Sequence, residues 1–396
     1  MNGKVRRPKV FMMDIWATVP YYTAYLSKAL LLEDIDLMVG SISYYLDPNC
    51  FSSRGIRVDP GLLDIVGKFR LPRLLRRVLK LGEGILNLLA LTVRFLVSPP
   101  DVIHVQYLPM LKWRVPLDLW FLELCRKRGI KIVLTVHDLL PHDTADTYVE
   151  TFRDLYSMVD GIICHSDHIK TRLAAEFSVA PEKISVIPHG PFFYDLPELD
   201  SNKALQGVAS EPGQVVVLWQ GIIFPYKGID LLLNAWQKVE AVSEDACLVI
   251  AGTGTPELLE QIRAQVERLG LKLVNLHLRF ITTQELVALY RAADVVVYPY
   301  RAITTSGALA TGLALGKAIV ASDLPVFREL LTTRENALLV DSQNSAELAD
   351  ALIELIRNSS LRMQLASNVR EMNFGDESWL SIASRTAAVY ERYCAS

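Results

Sequence analysis

At 396 residues the chain is longer than one compact core usually holds, and roughly 150–200 residues per domain gives two domains. Hydrophobic residues at 51% and charged residues at 21% exclude an intrinsically disordered chain, and a formal charge of −3 argues against a general nucleic-acid binder. That balance conceals a split: residues 1–131 hold 20 basic and 11 acidic side chains and the remainder 21 and 33, so the front of the chain suits an anionic surface or substrate.

In chain order, the apolar run Val10–Met13 predicts a first strand. Its few apolar residues and Asp14 set it apart from a signal peptide. The stretch Ile85 to Val97 is 13 residues long and carries Asn87 and Arg94, short of the ~20 apolar residues that span a bilayer. Further strands are predicted at Val102–Gln106, Ile130–Val136, Gly161–Cys164 and Ile184–Pro188, then at Val215–Gln220, Cys247–Ala251, Val295–Pro299 and Ala318–Ala321. Helical patterns separate many of them, at Pro116–Arg128, Asp167–Glu176, Gly228–Val239, Pro256–Leu269 and Thr283–Ala292. Strand–helix alternation of this kind predicts an α/β chain with parallel sheets covered on both faces. The pattern restarts after the polar stretch Asp195–Gln214, the expected linker. The expected domains are therefore 1–195 and 196–396, each doubly wound and Rossmann-like, with ligands at the carboxyl ends of the strands. The closing helix 376–394 fits either as a cap on the second domain or as an element packed back on the first. The five cysteines are scattered without a C-x-x-C pair, which fits a reducing compartment and predicts no metal site.

Three segments of the second domain carry chemistry. In Val215–Ala235 a buried strand runs through Gly221 into Tyr226-Lys227-Gly228 and then a helix. A lysine at such a turn, with free helix N–H groups beside it, suits a diphosphate. A second strand ends in Gly252-Thr253-Gly254. The third segment, Asp294–Gly316, sets Arg301 and the hydroxyls of Thr304, Thr305 and Ser306 before a helix of small residues from Gly307. In the first domain His137 and Asp138 follow a strand, with His142 and Asp143 just beyond, His165 after another strand and His189 in I-P-H-G.

This ordered set resembles glycosyltransferase family 4 and its relatives of the GT-B fold. The match includes the element E-L-x-x-x-Y-R-A-A-D from Glu285 to Asp294, the Ser306-Gly307 helix, G-K-A-I-V-A-S-D from Gly316 and an acidic residue at Glu329. The resemblance implies two domains facing across a cleft, an acceptor-binding first half and a nucleotide-sugar-binding second half. It implies donor contacts from Lys227, Gly221, Gly252, Gly254, Arg301, Thr305, Ser306, Gly307, Thr311 and Glu329. It also implies that His137 meets the donor sugar, with His137, Asp138 or Asp143 as the base if configuration inverts. Two features depart from the family pattern. The two glutamates usual in the third segment fall on Ile303 and Thr311, and the arginine that normally precedes the lysine is absent. The P-Y-R-x-I-x-x-S-G form resembles a side branch of bacterial exopolysaccharide and glycolipid transferases.

The reaction expected is hexosyl transfer from a GDP- or UDP-linked sugar to a hydroxyl of a lipid-linked or polysaccharide-precursor acceptor, without a metal cofactor. The competing expectations are a degenerate pair of domains that binds a nucleotide sugar as a partner subunit, and a sugar-nucleotide epimerase. Residues 68–80 read as a basic amphipathic helix, with Arg70, Arg73, Arg76, Arg77 and Lys80 toward an anionic membrane surface and leucines on the other face. The expected location is the cytoplasm, peripheral on the inner face of the cytoplasmic membrane.

Overall fold

The computed structural model describes residues 7–69, 72–113, 116–141, 145–195 and 213–394. Two compact units divide the chain: Met1–Pro188 with Trp379–Ser396, and His189–Ser378.

The first unit is built on six parallel strands. These are β1 (Lys9–Asp14), β2 (Asp36–Ser41), β3 (Val102–Val105), β4 (Lys131–Thr135), β5 (Gly161–Cys164) and β6 (Ile184–Val186), in the order β2-β1-β3-β4-β5-β6. The winding direction reverses between β1 and β3, and the carboxyl ends of strands at such a reversal leave a crevice. Residues that follow these strands, including Trp16, Gln106, His137 and His165, all leave the sheet at that edge. The closing helix Asp376–Cys394 belongs to this unit from Trp379 onward. Trp379 stacks on Tyr25 at 5.6 Å between ring centroids, and Tyr390 reaches His104 in the middle of β3.

The second unit repeats the scheme with β7 (Val215–Gln220), β8 (Ala246–Ala251), β9 (Val274–His277), β10 (Val295–Tyr298), β11 (Ala318–Ser322) and β12 (Leu338–Val340), ordered β12-β11-β10-β7-β8-β9. Alternate residues of β7 fill two cores. Val215, Val217 and Trp219 pack with the helix Ile229–Glu240, while Val216 and Leu218 pack with Tyr290, Tyr298 and Phe327 on the opposite face. Here the reversal lies between β7 and β10, which sets Gly221 and Tyr300 at neighbouring strand ends.

Three strands and, among the longer helices, Pro20–Leu30, Val149–Met158, Ser345–Arg357 and Ser359–Glu371 were not anticipated. β2 and β9 carry polar residues on an interrupted pattern, and β12 is three residues long. The helix α1 (Pro20–Leu30) is buried on nearly every side, so it has no polar face to create a helical period. The family-like E-L-x-x-x-Y-R-A-A-D segment starts with a structural device. Thr282 and Glu285 form a reciprocal capping box, and the Arg279 guanidinium on Glu285 lowers that carboxyl to about 2.

Candidate active site

The segments expected to meet the donor come together at the carboxyl edge of β7, β8 and β10. After β7 the chain turns at Gly221, whose N–H donates to Ala251 O at 3.1 Å, and Ile223 N–H donates to Thr253 O at 2.8 Å. A Cβ on Gly252 would enter the Gly221 carbonyl, so glycine is what lets these two loops touch. The turn closes on Lys227, in a short 3-10 turn Pro225–Lys227, and its Nζ sits over Gly221, at 2.8 Å from where a Cβ would stand. The same ammonium lies 5.5 Å from the ring centroid of Tyr300, a cation–π arrangement supplied by the end of β10. Gly228 has a φ of 66°, and a Cβ there would be driven into the Pro299 carbonyl oxygen. Gly228→Ala is accordingly expected to destabilise the second unit by about 2–4 kcal/mol. Thermal unfolding of the variant measures it, and an unchanged midpoint would contradict the packing described.

Arg301 is tied down. Its guanidinium forks onto Asp230 at 2.8 and 2.6 Å and donates to Pro225 O, so the charge nearest the position of the absent arginine's lysine neighbour already has a carboxylate partner. The pair holds the 225–230 turn against β10, and the Arg301 fork keeps the Asp230 carboxyl below its ordinary range against the opposing effect of its burial. The helix Gly307–Ala314 begins at Ser306, which accepts from Leu309 N–H. Its start is covered by the rings of His189 and Phe192, which stand where a Cβ on Gly307 would go. Thr311, at one of the family's glutamate positions, is buried: its hydroxyl donates to Gly307 O and accepts from Phe192 N–H. Thr305 is half-buried just before the cap, and Glu329 is exposed after the short helix Pro325–Arg328. Thus Gly221, Lys227, Gly252 and Gly254 converge, while Ser306, Gly307 and Thr311 form a neighbouring cluster. His189 from I-P-H-G joins that second cluster, a placement no local pattern announced.

The second constellation belongs to the first unit. His137 follows β4 and is 8% exposed. Its Nε2 lies 3.1 Å from Gln106 Oε1, and its ring packs edge-on to Tyr22 at 4.7 Å and tilted to His165 at 5.4 Å. Gln106 is oriented by its other end. Its amide nitrogen meets Met12 Sδ at 3.0 Å and His104 Nε2 at 3.1 Å, and sulfur can only accept. The Gln106 carbonyl therefore faces His137, which donates from Nε2, and in the neutral ring the lone pair is left on Nδ1. His104 Nδ1 in turn lies 2.6 Å from Tyr390 Oη. Burial pushes His104 down to about 3 and His165 to about 4, so both rings are neutral near pH 7. Gln106, His137 and Asp138 line a cavity of about 50 Å³. His142 and Asp143 lie outside the described residues. Gln106 went unread in the sequence because a lone glutamine carries no motif. Gln106→Leu is expected to lower kcat about 10-fold with little change in donor KM, since ~1.4 kcal/mol of orientation is lost. Gln106→Glu, which keeps an acceptor, is expected to restore turnover and move the acidic limb of the pH profile upward. Wild-type rates and profile in both variants would reduce Gln106 to packing.

The basic segment departs from its expected form. The helix α2 runs from Arg73 to Val97, preceded by a 3-10 turn at Val66–Lys68. Arg70 lies outside the described residues, as does the Arg73 side chain. At ~100° per residue, Arg76, Arg77 and Lys80 fall on the same face as the buried Glu83, Gly84, Asn87, Leu88, Leu91 and Phe95. The opposite face is an apolar stripe open to solvent: Leu75, Val78 at 66%, Leu79, Leu86, Leu89, Val93 at 64% and Val97 at 83% exposed. The cations were expected on the outer face; they continue the inner one, because buried positions on that face begin only at Glu83 and large apolar ones at Leu88. Among the described residues no helix is long and apolar enough to cross a membrane, and no cluster of three or more His, Cys, Asp or Glu side chains is set to hold a metal ion.

Comparison with known proteins matches this architecture. A model for glycosyltransferase family 4 covers residues 21–190, and one for group 1 glycosyl transferases covers residues 214–358. The phosphatidyl-myo-inositol mannosyltransferase of Mycobacterium tuberculosis H37Rv is 30% identical over 277 residues, 67% of this chain and 68% of that one. Its Mycobacterium leprae counterpart is 34% identical over 205 residues, 50% of this chain and 52% of that one. The chain thus spans between about half and two thirds of the length of these relatives. A D-inositol 3-phosphate glycosyltransferase of Pseudarthrobacter chlorophenolicus is 26% identical over 282 residues, 68% of this chain and 66% of that one. Among solved structures, Anabaena HepE, crystallised with UDP and glucose, superposes with a TM-score of 0.75 at 19% identity, over 98% of this chain and 100% of that one. The protein has the GT-B fold and belongs to the group 1, family 4 glycosyltransferases.

Proposed function

We propose that the protein transfers a hexosyl group from a GDP- or UDP-linked sugar to a hydroxyl of a lipid-linked or polysaccharide-precursor acceptor. The observation that carries this reading is the convergence of Lys227 Nζ, Gly221 and Tyr300 at the strand reversal of the second unit. In the reaction the bond from the anomeric carbon to the β-phosphate oxygen breaks and the acceptor oxygen takes its place. The leaving nucleoside diphosphate gathers negative charge, and Lys227 with backbone N–H groups from the 221 and 252 loops offsets it. The acceptor proton passes to the leaving phosphate if configuration is retained, or to a base at His137 or Asp138 if it is inverted. Neutralisation by side chains and N–H groups needs no metal, so turnover is proposed to persist in chelator.

A lipid-borne acceptor is supported by the names of the mycobacterial relatives, which specify phosphatidyl-myo-inositol; the Pseudarthrobacter relative is named for an inositol phosphate without a lipid. The apolar stripe of α2, beside a basic first turn, supports a resting place on an anionic membrane surface, with the protein cytoplasmic and peripheral on its inner face. A panel of GDP- and UDP-sugars titrated against the protein tests the donor assignment. One nucleotide sugar is expected to bind well above its free sugar, and no binding across the panel would refute the proposal.

A further inference from the structure

His137 is the outer member of a buried polar row in the first unit. Side chains two apart along a strand share a face of the sheet. His104 and Gln106 therefore share one, as do Thr135 and His137. The register pairs Met12 with His104, and His104 with Val133, two residues before Thr135, so all five lie on the same face. Tyr390 completes the row from the closing helix. Met12, His104, Gln106, Thr135 and Tyr390 are each at most 2% exposed. We propose that Met12 is a positioning residue: its thioether sets the direction in which the hydrogen bonds of the row run, and so which ring nitrogen of His137 carries the proton. The inference deepens the role of His137 in the proposed function and rests on it.

Most groups in the row can serve in either sense. The hydroxyls of Tyr390 and Thr135 donate or accept, a neutral imidazole places its proton on either nitrogen, and an amide turns over. In one sense His104 Nδ1–H donates to Tyr390 Oη at 2.6 Å, and His104 Nε2 accepts from Thr135 Oγ1 at 2.7 Å and from the Gln106 amide nitrogen at 3.1 Å. Gln106 Oε1 then accepts from His137 Nε2 at 3.1 Å, and the neutral His137 ring keeps its lone pair on Nδ1. In the other sense each bond reverses. Tyr390 donates to His104 Nδ1, His104 Nε2–H donates to the turned Gln106 carbonyl, and the amide donates to His137 Nε2, which moves the His137 proton to Nδ1. Burial pushes His104 down to about 3, so its ring has a single proton to place and the two senses compete. The thioether has no such choice. Met12 Sδ lies 3.0 Å from the side-chain nitrogen of Gln106 and can only accept. Reversal would set the Gln106 carbonyl against it, acceptor against acceptor, at a site closed to solvent where neither finds another partner cheaply. Gln106 cannot step aside by moving its backbone, because its N–H is held by Met13 O at 2.9 Å.

Met12→Leu tests this, since it keeps the volume of the core and removes the acceptor. Met13→Leu is the control: Met13 is equally buried, follows Met12 in β1 and points to the other face of the sheet. Ring-nitrogen NMR of the full-length chain reads the tautomer without any substrate, at alkaline pH where imidazole is neutral. The His137 signals are assigned by their loss in His137→Gln. The wild type is expected to carry the proton on Nε2. Met12→Leu is expected to move the signals toward a proton on Nδ1. It is also expected to lower kcat for sugar transfer about 3- to 10-fold with donor KM within about 2-fold of wild type, while Met13→Leu changes neither. A proton on Nδ1 in the wild type overturns the proposal, and that result needs no variant to fold. Met12→Leu spectra that match the wild type overturn it as well, as do equal shifts in Met13→Leu, which would make the effect one of packing. Because the spectra need neither donor nor acceptor, they remain readable if sugar transfer fails as the function. Transfer that proceeds with unmoved spectra refutes the role of Met12 alone.

Discussion

Lys227→Ala is expected to lower kcat/KM by about 100- to 1000-fold, a loss of ~3–4 kcal/mol in the transition state. The lysine sits at the end of a turn whose backbone is fixed on three sides, by Gly221 against Gly252, by Gly228 against Pro299, and by Arg301 N–H on Tyr226 O. Its ammonium is thus held in place before any donor arrives. The other strong cation of the region, Arg301, is engaged by Asp230. In the proposed reaction the charge that grows on the leaving diphosphate therefore falls mainly on Lys227. Lys227→Arg is expected to recover little, since a planar fork does not replace a point charge packed over Gly221. Steady-state rates on folded variants provide the check, and near-normal turnover in Lys227→Ala would remove the lysine from the mechanism.

The second large effect is expected at His137. His137→Ala should reduce kcat about 100-fold and leave the affinity for the nucleoside diphosphate within a few-fold of wild type. The reasoning is geometric. Gln106 and the neutral His104 behind it fix the ring, and Tyr22 and His165 pack against it at 4.7 and 5.4 Å between centroids. A ring held this firmly is suited to meeting a sugar hydroxyl or an acceptor proton, not to neutralising phosphate. Isothermal titration with the nucleoside diphosphate beside kinetics on the full donor separates the two roles. An equal fall in both would mean that His137 supports the fold of its strand end and nothing more.

Much of this architecture was legible because parallel strands buried on both faces read as apolar runs. Val215–Gln220 and Gly161–Cys164 have the predicted ends, and so do the helices Pro256–Leu269 and Thr283–Ala292. The close approach of the Gly221, Lys227 and Gly252 segments was legible too, since glycine at strand ends signals backbone contact. What escaped is what depends on contacts distant in sequence. The Arg301–Asp230 pair joins residues 71 apart, and the Gln106–His137 bond joins residues 31 apart. The orientation of α2 escaped for a different reason. Its sequence is amphipathic whichever side faces in, and only the packing of Glu83, Asn87 and Leu88 against the unit decides it. The division of the closing helix is of the same kind: Trp379 and Tyr390 are apolar signals without an address until Tyr25 and His104 are seen beside them.

The central claim is sugar transfer, and it is tested most directly by following a labelled hexose from its nucleotide donor in the presence and absence of a lipid extract. The account predicts that label enters the lipid fraction, with one nucleoside diphosphate released per sugar transferred, and that both signals vanish together in Lys227→Ala. A donor that binds but is never consumed would contradict transfer in favour of a degenerate nucleotide-sugar binder, and a donor altered without any acceptor would contradict it in favour of epimerisation.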